Sequence, residues 1–219
     1  MTPPPNFDRV ARLYRWAEYL ALGPLLQRTR THFLPRLPAC AHALILGDGD
    51  GRFLAQLLAR QLHLNALAVD TSATMLHLLR RRCFPFASRL QTLQASALAL
   101  DLDTINHLSG APPDLIVTHF FLDCLTQPEV DALTLRLATH LRPGALWLLS
   151  DFGAPHPRIL QPLATSYIRT LYLAFRILTG LRVTRLPNPQ SALQDSGFEC
   201  ISRHDRLHGL LYTELWRYR

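Results

Sequence analysis

The residues able to do chemistry are concentrated at two places in the chain. Gly47-Asp48-Gly49-Asp50-Gly51 sets a glycine at every second position, after the apolar run Ala43 to Leu46 and before Arg52-Phe53-Leu54. Glycines spaced this way let the backbone turn sharply and pass close to a ligand that would collide with any Cβ. The helix that follows offers unpaired N–H groups to a carboxylate or phosphate. Asp70 closes a second apolar run, Leu64 to Val69, roughly 20 residues further on, where a carboxylate can hold a ribose diol. Together these residues read as a cofactor cradle. A dinucleotide fingerprint would need glycine where Arg52 stands, and a phosphate-binding P-loop would need a Gly-Lys-Ser/Thr sequence that does not follow.

The second place is His119, at the end of the run Leu115 to Thr118, with Asp123 after Phe120-Phe121-Leu122. Histidine titrates in the range needed to take a proton from a phenol or an enolisable carbon, and a nearby carboxylate can assist it. The plainer alternative is that His119 packs through its ring and Asp123 caps the next helix. His204 and His208 are four apart, but the alternation around them and Gly209 put them at a strand end and a turn, where a helical metal pair cannot form. Cys40, Cys83, Cys124 and Cys200 show no C-x-x-C spacing, against both a disulfide framework and a zinc site. No metal is expected.

These residues need a scaffold. The pattern predicts a helix from about Phe7 to Phe33, a proline-bounded linker from Leu34 to Ala39, and alternating strands and helices from Ala43 to Asp151. Leu160, Leu163, Tyr167, Leu171, Ala174 and Leu178 then recur at helical steps between Pro157 and Gly180. A turn at Pro187 and Pro189, a short helix ending at Gly197, and alternating runs Phe198 to His204 and Leu210 to Tyr218 complete the chain, the last two read as an antiparallel pair at the sheet edge. The domain reading is residues 1–39 as a helical lid segment and residues 40–219 as one domain with a helical insertion at about 157–180.

Further motifs follow in order: Leu90 to Gln94 with Ala95-Ser96-Ala97, Pro113 to Phe120, and Leu141-Arg142-Pro143-Gly144 leading into Ala145 to Asp151. With the glycine turn and Asp70, this series resembles the class I S-adenosylmethionine (SAM)-dependent methyltransferases. Asn6 to Tyr14 is similar to the opening of the ubiquinone/menaquinone-biosynthesis type, with Arg15 replacing an aspartate. The resemblance implies an α/β, Rossmann-like, seven-stranded and mostly parallel sheet with an antiparallel edge hairpin, helices on both faces and a helical lid. It implies SAM as cofactor, held by Tyr14, Gly47, Asp48, Gly49, Asp50, Gly51, Asp70, Thr71, Met75, Ser96, Ala97 and Thr118. Ile45 replaces the family's acidic residue before the first glycine, so Asp48 and Asp50 are expected to reach the cofactor's α-amino group instead. Ser96 replaces an aspartate beside the adenine.

SAM brings a methyl carbon already activated by its sulfonium, so an enzyme's main task is to align a nucleophile behind it; a base is optional. Asp151, His156, Tyr167 and Tyr172 are the substrate-side candidates. Tyr14, Trp16 and Tyr19, with Tyr167, Tyr172 and Phe175, fall in two largely apolar segments that form a lid in related enzymes. The expected acceptor is therefore a small lipophilic or aromatic molecule, methylated on oxygen or carbon. The competing readings are a nucleic-acid methyltransferase and a non-catalytic SAM-binding scaffold or sensor.

Composition bears on these alternatives. The chain has 219 residues, a length suited to one α/β domain, and a net charge of +7. All 23 basic residues are arginine and only Arg80-Arg81-Arg82 forms a run, read as the solvated end of a helix; no nucleic-acid partner is expected. Thr118-His119-Phe120-Phe121 is not the N-P-P-Y type of motif that serves a flipped base. No uncharged run approaches the length of a membrane span, and Met1 to Pro5 lacks the basic-then-apolar order of a secretory signal. The expected location is cytoplasmic.

Overall fold

A computed structural model describes residues 23–155 and 186–219. Residues 1–22 of the expected N-terminal lid segment and the expected helical insertion at about 157–180, and with them Tyr14, His156, Tyr167 and Tyr172, lie outside the described residues.

One seven-stranded sheet organises the chain. Its strands are β1 (His42–Leu46), β2 (Asn65–Asp70), β3 (Leu90–Gln94), β4 (Leu115–His119), β5 (Leu146–Phe152), β6 (Phe198–Arg206) and β7 (Leu211–Tyr218), in the order β3-β2-β1-β4-β5-β7-β6. β1 to β5 are mutually parallel, while β7 runs antiparallel to both β5 and β6. The parallel part is covered on both faces, and the pleat divides the core in two. Ala43, Ile45, Ala66, Ala68, Leu115 and Val117 face the helices α2 (Arg52–Arg60) and α3 (Ala73–Arg82). Leu44, Leu46, Leu67, Val69, Ile116 and Leu149 face α4 (Leu102–Ser109), α5 (Gln127–Ala138) and α6 (Pro189–Asp195).

The helices begin where side chains can satisfy their first N–H groups. Ser72 accepts from Met75 N, Asp101 from Thr104 N, Asn188 from Ser191 N, and Thr126 with Glu129 forms a capping box. The first described helix, α1 (Gly23–Arg30), stops three residues short of the expected Phe33. Thr29 and Thr31 turn their hydroxyls back onto the carbonyls of Leu25 and Gln27, and Pro35 follows, so the chain tightens into a short 3-10 turn at Leu34–Arg36 within the expected linker. The edge pair is as read, with β6 extending two residues beyond His204 and bulging between Cys200 and Ser202. His204 lies on β6 and His208 in the turn at φ +55°, as the spacing argument required. Among the described residues no helix is long and apolar enough to cross a membrane.

Candidate functional site

β1 lies between β2 and β4; the chain leaves β1 for β2 on one side and returns from β3 to β4 on the other, so the connections diverge and open a crevice at the strands' carboxyl ends. Gly47 to Gly51 leaves β1 into this crevice. All three glycines have positive φ, +69°, +60° and +77°, a region costly to other residues. They differ in what surrounds them. A Cβ on Gly47 would lie 2.6 Å from Phe121 Cδ2, and one on Gly51 would lie 2.9 Å from Leu79 Cγ. A Cβ on Gly49 would meet no described atom within 4 Å. The outer glycines thus accommodate protein neighbours, while the middle one has none among the described residues.

The acidic residues of the turn are committed differently from the expectation. Asp48 accepts from Leu54 N at 3.0 Å, closing the start of α2. Asp50 accepts from Arg52 Nε at 3.1 Å and Arg82 Nη2 at 2.8 Å. Asp50 is therefore engaged by two guanidinium groups. Asp70, half-buried at the end of β2, accepts from Ser72 N at 2.9 Å and so has its carboxylate oriented over the turn into α3. Thr71 follows it, and Met75 packs in the first turn of α3. Ser96 caps the 3-10 turn Ala97–Ala99 through Leu98 N, and Ala97 is buried beneath it. Glycine turn, Asp70 and the Ser96-Ala97 segment share the carboxyl edge of β1 to β3. Thr118 does not join them: its hydroxyl accepts from Trp147 Nε1 at 2.8 Å inside the core. Its position at a strand end was legible; which face it points to follows from the pleat.

The pleat also separates the residues expected to do chemistry. His119 continues the face of Leu115 and Val117, where its ring meets Phe53 edge-on at 4.4 Å. It is 2% exposed, and neither ring nitrogen has a hydrogen-bond partner. Burial, and after it the Arg30 guanidinium, lowers its pKa well below the usual histidine range, so the ring is neutral at physiological pH. Asp151 continues the opposite face, that of Leu149. It accepts from the backbone N–H groups of Asp123 at 3.1 Å and Phe152 at 3.0 Å, and the carboxyls of Asp123 and Asp151 are hydrogen-bonded to each other. Burial first, and the neighbouring Asp123 charge second, raises Asp151 well above the usual carboxylate range. Asp123 therefore pairs with Asp151 and makes no hydrogen bond to His119; the expected His119 and Asp123 partnership is corrected to a carboxyl pair and a solitary imidazole.

Several features of this region had no signal in the sequence. Phe120 has φ +53°, rare for an aromatic residue, and lies between the Phe152 ring at 5.2 Å and the Arg30 guanidinium at 5.1 Å. His32 stacks on His204 at 3.8 Å, joining the end of α1 to β6. Arg82 and Arg136, ordinary helix residues by sequence, bond to the two backbone loops of the cradle. An isolated arginine and a left-handed Phe look like any other in one dimension.

Comparison with known proteins agrees with this geometry. The sequence pattern of a family described as a methyltransferase domain matches residues 44–147. No curated protein matches the chain. Among solved structures, an O-methyltransferase family protein from Burkholderia thailandensis superposes with a TM-score of 0.69 at 17% identity, over 98% of this chain and 64% of its own. An O-methyltransferase family 2 protein from Planctomyces limnophilus, solved in complex with apigenin, gives 0.69 at 15% identity, over 95% of this chain and 62% of its own. The N-methyltransferase NodS from Bradyrhizobium japonicum, in complex with S-adenosylhomocysteine (SAH), gives 0.59 at 13% identity, over 89% of this chain and 84% of its own. The chain spans about three-fifths of the first two, and at these identities the likeness is one of fold.

Proposed function

We propose that this protein, whose residues 44–147 match the pattern of a methyltransferase domain, transfers a methyl group from SAM to a small lipophilic or aromatic acceptor, on oxygen or carbon. The reading is carried by Gly49, whose left-handed backbone at the carboxyl end of β1 has no neighbour among the described residues, while its two sister glycines are packed against protein. In this reading the methionyl part of the ligand fills that opening.

The residues present fit SAM. Asp70 offers its carboxylate to the ribose hydroxyls, the turn Gly47 to Gly51 offers backbone to the methionyl part, and the Ser96 to Leu98 segment borders the adenine. Bound there, SAM would supply an electrophilic methyl carbon. The chain's own contribution is alignment and exclusion of water: Phe120, Phe152, Leu26 and Leu211 form an apolar cluster where α1 crosses the ends of β4 and β5. For an acceptor that must lose a proton, His119 is the base we propose, because its depressed pKa keeps the lone pair free at neutral pH. Asp123 acts through Asp151, fixing the turn after β4. The substrate-side roles of His156, Tyr167 and Tyr172, and of Tyr14 at the cofactor, rest on the sequence alone, as does the cytoplasmic location.

Incubation with SAM and a panel of phenols and quinols, followed by mass spectrometry, tests the proposal. A product heavier by one methylene group, absent without protein, is the expected result. SAH binding without any methylated product would favour a scaffold or sensor, and label from methyl-labelled SAM appearing only in added RNA or DNA would favour the nucleic-acid reading.

A further inference from the structure

Backbone groups of both cofactor loops accept from an arginine on a helix later in the chain. Arg136, on α5, donates from Nη1 to Leu98 O at 2.6 Å and from Nη2 to Ala97 O at 2.5 Å. Arg82, in the last turn of α3, donates from Nε to Asp50 O at 2.9 Å and from Nη2 to Asp50 Oδ2 at 2.8 Å. The planar guanidinium fork suits such paired acceptors and loses little freedom in making both bonds. A lysine would reach only one acceptor with the same direction.

We propose that Arg136 and Arg82 are positioning residues for SAM, Arg136 holding the adenine segment and Arg82 holding the glycine turn in their binding shapes. The proposal rests on the cofactor reading above. Three observations support it. Arg136 is half-buried, makes no ion pair among the described residues, and leaves its Nε without a partner. Its guanidinium is thus directed at two backbone carbonyls and not at a carboxylate. Its acceptors, Ala97 and Leu98, are the segment that borders the adenine in that reading, where the Ser96 hydroxyl is committed to capping Leu98 N. Arg82, for its part, meets a turn with three glycines, the residue type that loses most conformational freedom on ordering. A loop ordered before the ligand arrives does not charge that entropy to binding. Arg82 is also a member of the Arg80-Arg81-Arg82 run, and it differs from a solvated helix end by being bonded to the turn.

The two arms can be separated with ligand fragments. SAH touches both loops, whereas adenosine lacks the amino-acid part that lies along the glycine turn. Binding of SAH and of adenosine is measured by calorimetry on wild type, Arg136→Met and Arg82→Met, at a temperature where circular dichroism shows each fully folded. Arg136→Met is expected to weaken SAH and adenosine by the same factor, about tenfold. Arg82→Met is expected to weaken SAH about tenfold and adenosine by no more than about twofold. Should Arg136→Met fail to fold, Arg136→Lys, which keeps the charge and one bond, is expected to weaken both ligands about threefold. Wild-type affinity for SAH in the variants, or parallel loss of SAH and adenosine in Arg82→Met, would overturn the positioning role and leave the SAM reading standing. A wild-type protein that binds neither ligand would overturn both.

Discussion

Exchanging Gly49 and Gly51 for alanine, one at a time, distinguishes a cofactor cradle from a turn that is merely tight. Both positions have positive φ, so either alanine carries the left-handed penalty of about 1–2 kcal/mol. At Gly49 nothing else is added, because the new Cβ meets no described atom within 4 Å. At Gly51 the new Cβ falls 2.9 Å from Leu79 Cγ and 3.1 Å from Leu79 Cα, and a backbone atom cannot move aside as a side-chain tip can. Overpacking of that kind adds about 1–3 kcal/mol, giving roughly 2–5 kcal/mol in all. For a chain of this size each kcal/mol moves the melting temperature by about 2–4 °C. Gly49→Ala is thus expected to lower it by about 2–8 °C and Gly51→Ala by about 4–20 °C, read by calorimetric melting without ligand. The order reverses for SAH: measured on folded protein, Gly49→Ala should lose at least about tenfold in affinity, because its methyl occupies space assigned to the ligand. Gly49→Ala with wild-type SAH affinity, or with the larger loss of melting temperature, would refute the reasoning.

Four other residues give testable outcomes. Asp70→Ala removes a charged acceptor worth about 1.5–3 kcal/mol, so SAH affinity by calorimetry should fall about tenfold or more. His119→Gln should lower turnover about 100-fold or more with SAH affinity retained; because the folded pKa lies below 6.5, the wild-type rate should be flat from pH 6.5 to 8 and fall only below that window. The same depression means the unfolded chain takes up the proton first as pH drops, so wild type loses stability below pH 6.5 by up to about 1.4 kcal/mol per pH unit, a slope that denaturant titrations of His119→Gln should lack. Asp151 is shifted the other way: its proton is held more tightly when folded, so stability falls as pH rises from about 4 through the raised pKa, and Asp151→Asn should remove that decline from the pH-stability curve. Thr118→Val leaves the buried Trp147 Nε1 without its acceptor and should cost about 1–3 kcal/mol in denaturant unfolding while SAH affinity stays unchanged.

The strands were legible because each carries its own signal. A run such as Ala43 to Leu46, buried on both faces, is apolar throughout, and the Pro143-Gly144 turn marks where β5 begins. The glycine turn and Asp70 were legible for the same reason: glycine spacing and an acid at a strand end are local facts. Partnerships across the fold were not. That Asp50 faces Arg82 depends on how α3 returns beside the glycine turn, and that Asp123 meets Asp151 depends on the pairing of β4 with β5. His119 was placed correctly at its strand end, but a one-residue difference in pleat sends it to the α2 face and Asp151 to the other. The early end of α1 was missed because Thr29 and Thr31 fit a helical pattern as readily as they end one.

A crystal structure of the protein grown with SAH tests the central claim most directly. The account predicts SAH in the crevice where β1 parts β2 from β4, with its ribose hydroxyls on the Asp70 carboxylate, its amino-acid part along Gly47 to Gly51 over the open side of Gly49, and its adenine against Ser96 to Leu98. SAH bound elsewhere on the chain, or a crevice left empty at saturating SAH in crystals whose lattice leaves it accessible, would contradict the account.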